Sequence, residues 1–275
     1  MPLRYMFFRR MQFVAEVGAA TERSVAYVGG LAQLFGKSVR LLFLSPLKRS
    51  RLAQRAVHQA MAVGVGALPI TSLITFFVGV IIALQGAYQL QRLGAMQLVA
   101  SLVSISITRE LGPLITAIVV IGRSGSAFAA EIGTMRVTEE LDALETMALD
   151  PVAFLVAPKF LAMAVMLPCL AMWSDLMGVL GGCVFGMVSG NFTFGSYAIA
   201  TRDALVAHDI TTGIVKALVF GLVITAVGCQ EGFSTGAGAE DVGRSTTSAV
   251  VISILLVILI DLVFTIVFYL ARGAA

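Results

Sequence analysis

The stretch between Arg55 and Arg92 constrains the fold most, because it holds 36 consecutive residues without Asp, Glu, Lys or Arg. About 20 apolar residues are enough for an α-helix to cross the roughly 30 Å hydrocarbon core of a bilayer. Charged residues make up 13% of the chain, whereas about 25% is usual in soluble domains. The apolar blocks are also too long for the alternating strands of a membrane β-barrel. The sequence therefore predicts an all-α integral membrane protein.

Apolar blocks of sufficient length recur along the chain and predict five membrane-spanning helices. One segment, residues 190–212, leaves two alternatives open. It forms either an external loop with a partial helix or a sixth short crossing, because Arg202 and Lys216 make the positive-inside rule indecisive there. The five expected spans are residues 60–88, 97–128, 158–188, 213–232 and 245–271.

The N-terminal region is strongly basic, since ten of the nineteen Lys and Arg residues precede residue 60 and only Glu16 and Glu22 oppose them. By the positive-inside rule this region stays in the cytoplasm, and five crossings then place the C-terminus outside. Residues 22–44 are amphipathic, which predicts an interfacial (elbow) helix. Because anionic lipid headgroups are the nearest partner of this region, we expect no nucleic-acid partner. We divide the chain into residues 1–55, a basic amphipathic segment, and residues 56–275, a membrane domain.

Among the ionisable residues inside the expected spans, we single out Arg109, Glu110, Asp175 and Asp261. Such groups are costly in hydrocarbon and require partners or water. Adjacent residues point about 100° apart on a helix, so Arg109 and Glu110 either belong to a structural ion pair or line a transport pathway. For Asp175 and Asp261 a structural role is favoured.

Some patterns suggest other functions. Intramembrane acids are typical of an ion-coupled carrier, which is the main alternative. Gly122-Arg-Ser-Gly125 resembles the nucleophile region of intramembrane serine hydrolases, but the two histidines, His58 and His208, lie near the basic block and in a polar stretch. Gly30 to Ser38 has one residue too many between its glycines for a phosphate-binding loop, so we expect no nucleotide site in this chain.

The segment from Glu131 to Asp150 is the most charged part of the chain after the N-terminal region. Val137, Leu141 and Leu144 recur at helical spacing within it. This pattern predicts a cytoplasmic amphipathic helix over about residues 131–148, ended by Pro151.

Several segments together resemble the MlaE (YrbE) family of permeases, over about residues 55–270. The resemblance lies in Thr108-Arg-Glu-Leu-Gly-Pro-Leu114, Gly122-Arg-Ser-Gly-Ser126, Ala130 to Met147 with Asp150-Pro151, Leu84-Gln-Gly86 and Gly243-Arg-Ser-Thr-Thr247. It implies the permease of an ATP-binding-cassette (ABC) transporter, a homodimer in the bacterial inner membrane with an elbow helix and five spans per protomer. The helix over residues 131–148 would be the coupling helix that docks on the ATPase.

The resemblance also implies partners and a cargo. A separate cytoplasmic ABC ATPase would bind ATP and magnesium, so this chain would hold no cofactor or metal and would not itself be an enzyme. Family members often carry a small STAS-domain subunit and work with a periplasmic MCE-domain protein. Their cargo is chiefly glycerophospholipid moved between the inner membrane and the outer envelope, which maintains outer-membrane lipid asymmetry.

Carried onto matching positions, the resemblance assigns two sets of site residues. Position 93 is Leu where the family pattern leads us to expect Tyr, so it is assigned to acyl chains rather than to the headgroup. The expected cargo-binding residues are Gln85, Leu90, Leu93, Arg109, Glu110 and Leu111. The expected ATPase-coupling residues are Glu131, Arg136, Glu139, Glu140, Leu141, Leu144 and Glu145.

Overall fold

The computed structural model describes residues 26–27, 29–37, 40 and 49–273. Residues 29–37 are helical, but much of the elbow helix expected over residues 22–44 lies outside the described residues. Within residues 49–273 the chain is helical, with short turns and no strand. The predicted all-α membrane class is confirmed.

Nine α-helices follow one another between residues 49 and 273. Short helical turns join or interrupt them: a 3₁₀ turn at Met96–Leu98 and π-helical turns at Ile107–Leu111, Ile121–Gly125 and Val152–Val156. The α-helices are α1 (Arg49–Arg92), α2 (Val99–Ser106), α3 (Gly112–Val120), α4 (Ser126–Val137), α5 (Glu140–Thr146), α6 (Ala157–Val188), α7 (Phe194–Ala204), α8 (Ala207–Phe233) and α9 (Ala239–Gly273).

Five helical stretches of the described chain are long and apolar enough to cross a membrane, which confirms the expected number. Each begins before its predicted first residue, because charged and polar residues at the ends of a span remain helical. We call them the first to fifth spans in chain order. They are Leu52–Arg92, Met96–Val137, Val152–Val188, Ala207–Phe233 and Ala239–Leu270.

The segment between the third and fourth spans contains helix α7, which has 11 residues. At 1.5 Å per residue it extends about 16 Å, roughly half the hydrocarbon thickness. The side chain of Thr193 caps its first turn by accepting a hydrogen bond from Ser196 N. Tyr197 is buried, and this burial raises the pKa of its phenol above the ordinary value. Of the two alternatives for residues 190–212, the partial helix is therefore the one observed, followed by the start of the fourth span.

The second span is interrupted by two π-helical turns, the first directly before Pro113. Proline lacks an N–H and its ring clashes with the carbonyl four residues earlier. A wider turn at this point keeps the chain helical, and the Gly112 N–H bonds to the Ile107 carbonyl. Single π-turns often mark functional sites, and this one contains Arg109 and Glu110.

Glycines allow the first and third spans to approach closely. A Cβ atom at Gly79 would overlap the carbonyl of Gly178, and one at Gly181 would overlap the carbonyl of Phe76. Gly178 also faces Ile107 of the second span. Gly178 and Gly181 of the third span therefore serve tight helix packing, as small residues commonly do in membranes.

The segment expected to lie in the cytoplasm differs from the single helix predicted over residues 131–148. Residues up to Val137 continue the second span, and a turn at Thr138 and Glu139 separates them from α5. Glu139 has φ +59°, a left-handed conformation that an α-helix cannot continue through. The amphipathic pattern is present, but a turn interrupts the helix in the middle of it.

Candidate functional site

The candidate site is centred on the π-turn of the second span, where Arg109 and Glu110 pair with different residues rather than with each other. Arg109 Nε lies 3.4 Å from Asp209 Oδ1 at the start of the fourth span. Glu110 Oε2 lies 2.5 Å from Lys216 Nζ, two turns further along that span. The two adjacent residues therefore join the second span to the fourth at two positions, about two turns apart along the fourth span.

Lys216 is the centre of a polar cluster in which three spans meet. Its side chain is 2% exposed, and Nζ lies 2.9 Å from Asp261 Oδ1 in the fifth span. Nζ also donates to Thr265 Oγ1 at 3.0 Å, and this hydroxyl lies 3.2 Å from Glu110 Oε1. Lys216 therefore donates hydrogen bonds to Glu110 and Thr265 and forms an ion pair with Asp261.

The charge of this cluster is not balanced internally. Glu110 and Asp261 carry two carboxylates against the single ammonium of Lys216, while Arg109 and Asp209 offset each other. Glu110 is the most open of the charged members, since 37% of its side chain is exposed, and Thr265 is exposed as well. The charged face that this cluster offers to a bound molecule therefore consists of the accessible parts of Arg109 and Glu110.

Four residues of this cluster were not among the site residues expected from the sequence, namely Asp209, Lys216, Asp261 and Thr265. In the sequence analysis Lys216 entered only as a charge for the positive-inside rule, and Asp209 was part of a polar stretch. The sequence does contain a signal for Lys216, because a lysine inside an apolar span requires a carboxylate partner. Glu110 and Asp261 are two acids in other spans that could provide it. Spacing along the chain cannot show which helices meet, so the pairing itself requires the structure.

The remaining expected cargo residues divide into two groups. Leu90 and Leu111 are partly buried and pack against the same cluster of Val99 and Val103, where the first and second spans meet. Gln85 is exposed near the end of the first span, and Leu93 is 77% exposed in the turn that follows it. The structure thus leaves Gln85 and Leu93 open to a ligand and uses Leu90 and Leu111 mainly for packing.

Asp175 of the third span takes no part in this ion cluster. Its Oδ1 atom is buried without a hydrogen-bond partner among the described residues. It lies so close to Gly112 that a Cβ atom there would overlap it. Beside it, Thr116 donates to the Ser174 hydroxyl at 2.7 Å and joins the second and third spans.

The expected coupling residues also divide into an outer and an inner group. Leu141 and Leu144 are buried in a cluster with Ile132 and Phe160, so they hold α5 against the second and third spans. Glu131 accepts a 2.7 Å hydrogen bond from the buried Lys159. The five exposed members are Glu131, Arg136, Glu139, Glu140 and Glu145.

The serine-hydrolase pattern gains no support from the arrangement. Ser124 is buried in the second π-turn, and among the described residues no hydrogen bond joins it to a histidine. His208 packs edge-on against Phe268 at a ring distance of 6.1 Å. A serine nucleophile requires a base placed against it.

Comparisons with known proteins agree with the resemblance seen in the sequence. The family described as permease MlaE matches residues 56–267. A probable ABC transporter permease protein of Rickettsia conorii is 37% identical over 92% of this chain and 96% of its own length. The intermembrane phospholipid transport system permease protein MlaE of Haemophilus influenzae is 34% identical over 78% and 82%. The chloroplast protein TRIGALACTOSYLDIACYLGLYCEROL 1 of Arabidopsis thaliana is 33% identical over 80% and 63%. With five membrane-spanning helices and this match over most of its length, the chain belongs to the MlaE permease family.

Proposed function

We propose that this protein is the membrane subunit of an ATP-driven transporter that moves glycerophospholipids between the inner membrane and the outer envelope, and so maintains outer-membrane lipid asymmetry. A relative from Haemophilus influenzae is named as an intermembrane phospholipid transport permease. Hydrolysis of ATP would take place on a separate ATPase subunit, which binds the nucleotide and magnesium.

The observation that carries this proposal is the partly exposed polar pair at the π-turn. Arg109 and Glu110 are held in place by buried partners on the fourth and fifth spans. Fixed polar groups within an otherwise apolar protein suit a molecule with a polar headgroup and apolar tails. In this proposal the headgroup lies near Arg109 and Glu110, with Gln85 as a further polar contact and Leu90, Leu93 and Leu111 along the acyl chains.

The proposed link to the ATPase is helix α5. Its exposed acids, with Glu139 and Glu145 at the two ends, would dock on a basic surface of the ATPase. The inner side of α5, through Leu141 and Leu144, packs on the second and third spans. Motion of the ATPase would therefore be transmitted to the span that contains the cargo residues.

The remaining parts of the proposal concern assembly and orientation. The permease would work as a homodimer with a periplasmic MCE-domain protein and, in some systems, a STAS-domain subunit. The basic residues before residue 60 support a cytoplasmic N-terminus.

The phospholipid that co-purifies with the detergent-extracted transporter complex tests the cargo site. We expect Arg109→Ala and Leu93→Asp each to reduce bound phospholipid, measured by mass spectrometry, by more than half. Leu93 lies in an exposed turn, so its variant should fold normally even if loss of the Arg109–Asp209 pair impairs folding. Arg244→Ala, which removes an exposed arginine at the start of the fifth span, is the matched control. Unchanged occupancy in the folded Leu93→Asp variant would contradict the proposed site.

A further inference from the structure

A pocket with two cationic residues in its lining lies far along the second span from the Arg109 cluster. Its volume is about 170 Å³, and it lies where the first span begins, the second span ends and the third span begins. Since successive spans cross in opposite directions, these three ends share one membrane face, the one that carries the N-terminal basic residues. The pocket is lined by Arg55, His58, Gln59, Glu131, Phe154, Leu155, Pro158 and Lys159.

Arg55 is the free cation of this pocket. Its guanidinium carbon lies 3.7 Å from the centre of the Phe154 ring, so the aromatic face holds the group at the pocket wall. Among the residues that the structure describes, Arg55 has no carboxylate partner. Stacking leaves its N–H groups available, and a planar guanidinium is well suited to bind phosphate through two parallel hydrogen bonds.

Lys159 is the second cation, and its environment differs from that of Arg55. Its side chain is 1% exposed, and Nζ lies 2.7 Å from Glu131 Oε2 and 4.9 Å from the centre of the Phe128 ring. The pair is close to neutral, so the pocket as a whole keeps the positive charge of Arg55. One negative charge is therefore needed to balance it.

The size and walls of the pocket restrict the ligand further. At about 30 Å³ per water, 170 Å³ corresponds to roughly five or six waters, which is room for a phosphate group and well below the 300–1,000 Å³ of typical drug-sized sites. Phe154, Leu155 and Pro158 provide apolar walls beside the cations. From this combination we propose that the pocket binds a phosphate group, separately from the cargo site.

The bound phosphate group could belong to a lipid headgroup at the membrane surface or be free phosphate from solution. The location at the ends of three spans and the apolar walls favour the headgroup, since anionic lipids gather where basic residues flank a span. A bound phosphate would link the first span to the Glu131–Lys159 pair, directly before the cytoplasmic segment that begins at Thr138.

Native mass spectrometry of the detergent-purified permease tests this site. The protein is titrated with dioctanoyl phosphatidylglycerol and, separately, with dioctanoylglycerol, which lacks the phosphate. We expect Arg55→Gln to lose one bound phosphatidylglycerol per protomer at concentrations that saturate the unaltered protein. Gln59→Glu, which adds a competing carboxylate without changing the size of the side chain, should have the same effect. Dioctanoylglycerol binding should not change in either variant.

One control separates this site from other binding. Arg244→Gln removes an equivalent exposed charge outside the pocket, so it should keep the phosphatidylglycerol molecule. Displacement of that molecule by inorganic phosphate would identify a site open to both sources, whereas resistance to displacement would identify a headgroup site. If Arg55→Gln and Gln59→Glu bind as many phosphatidylglycerol molecules as the unaltered protein, or if Arg244→Gln loses the same molecule, the proposal is wrong.

Discussion

At the scale of single residues, the charged groups around the π-turn of the second span are arranged as partners, whereas Asp175 Oδ1 of the third span has no hydrogen-bond partner among the described residues. Lys216 connects Glu110 of the second span to Asp261 of the fifth. The sequence predicted that Arg109, Glu110, Asp175 and Asp261 need partners or water, because ionised groups in hydrocarbon are costly. It did not predict which helices provide them, since that depends on the packing of the spans.

Replacing Lys216 tests this cluster. Lys216→Met leaves two carboxylates close together without their cation, and removing one partner of a buried ion pair commonly costs about 3–5 kcal/mol. We expect a clear fall in the thermal stability of the purified protein, measured by size-exclusion chromatography after heating. The compensated variant Lys216→Met with Glu110→Gln and Asp261→Asn should recover much of the loss. Equal stability of Lys216→Met and the unaltered protein would show that the cluster is not a structural unit.

At the scale of helices and spans, the sequence predicted what composition and periodicity can report and missed what depends on backbone detail. The five spans follow from apolar length. The π-turn at Ile107–Leu111 could not be foreseen in this way, because its residues read as ordinary helix. The turn at Glu139 also escaped detection, since the apolar spacing of Val137, Leu141 and Leu144 continues across it.

The contact between the first and third spans leads to a prediction about glycine. A Cβ atom at Gly79 would overlap the Gly178 carbonyl, whereas at Gly122 nothing lies within 4 Å. Overpacking a close contact typically costs about 1–3 kcal/mol. We expect Gly79→Ala to lower thermal stability and Gly122→Ala to leave it nearly unchanged. A similar small effect of both substitutions would argue against a close contact between these two spans.

Helix α5 provides a test of coupling that separates docking from folding. Glu140 is exposed, whereas Leu144 is buried in the cluster with Phe160. In the complex with the ATPase we expect Glu140→Lys to reduce lipid-stimulated ATP hydrolysis about tenfold. This corresponds to a loss of about 1.4 kcal/mol of docking free energy when one charge is reversed. The thermal stability of the permease should not change.

Leu144→Asp should instead lower stability, because it places a charge in the apolar cluster. The matched control is Glu240→Lys, which reverses an exposed acid at the start of the fifth span. Full lipid-stimulated hydrolysis by Glu140→Lys would be incompatible with docking through this face of α5.

At the scale of the whole molecule, the few charged residues occupy separate regions. Basic residues dominate the N-terminal region, acids mark the outer side of α5, and the Arg109–Lys216 cluster lies inside the membrane region. This distribution fits a permease in which orientation, partner docking and cargo binding use different residues. It also explains why the family could be predicted from short motifs, while the site needed the contacts between distant helices.

The central claim is that ATP hydrolysis by a partner drives phospholipid movement through this chain. The most direct measurement is transfer of a fluorescent phospholipid by proteoliposomes that contain the complex, with ATP, with a non-hydrolysable ATP analogue, or with a proton gradient alone. The account predicts transfer with ATP only, and its loss in Glu140→Lys. Transfer driven by the proton gradient without ATP, and abolished by Asp261→Asn, would contradict it and identify an ion-coupled carrier.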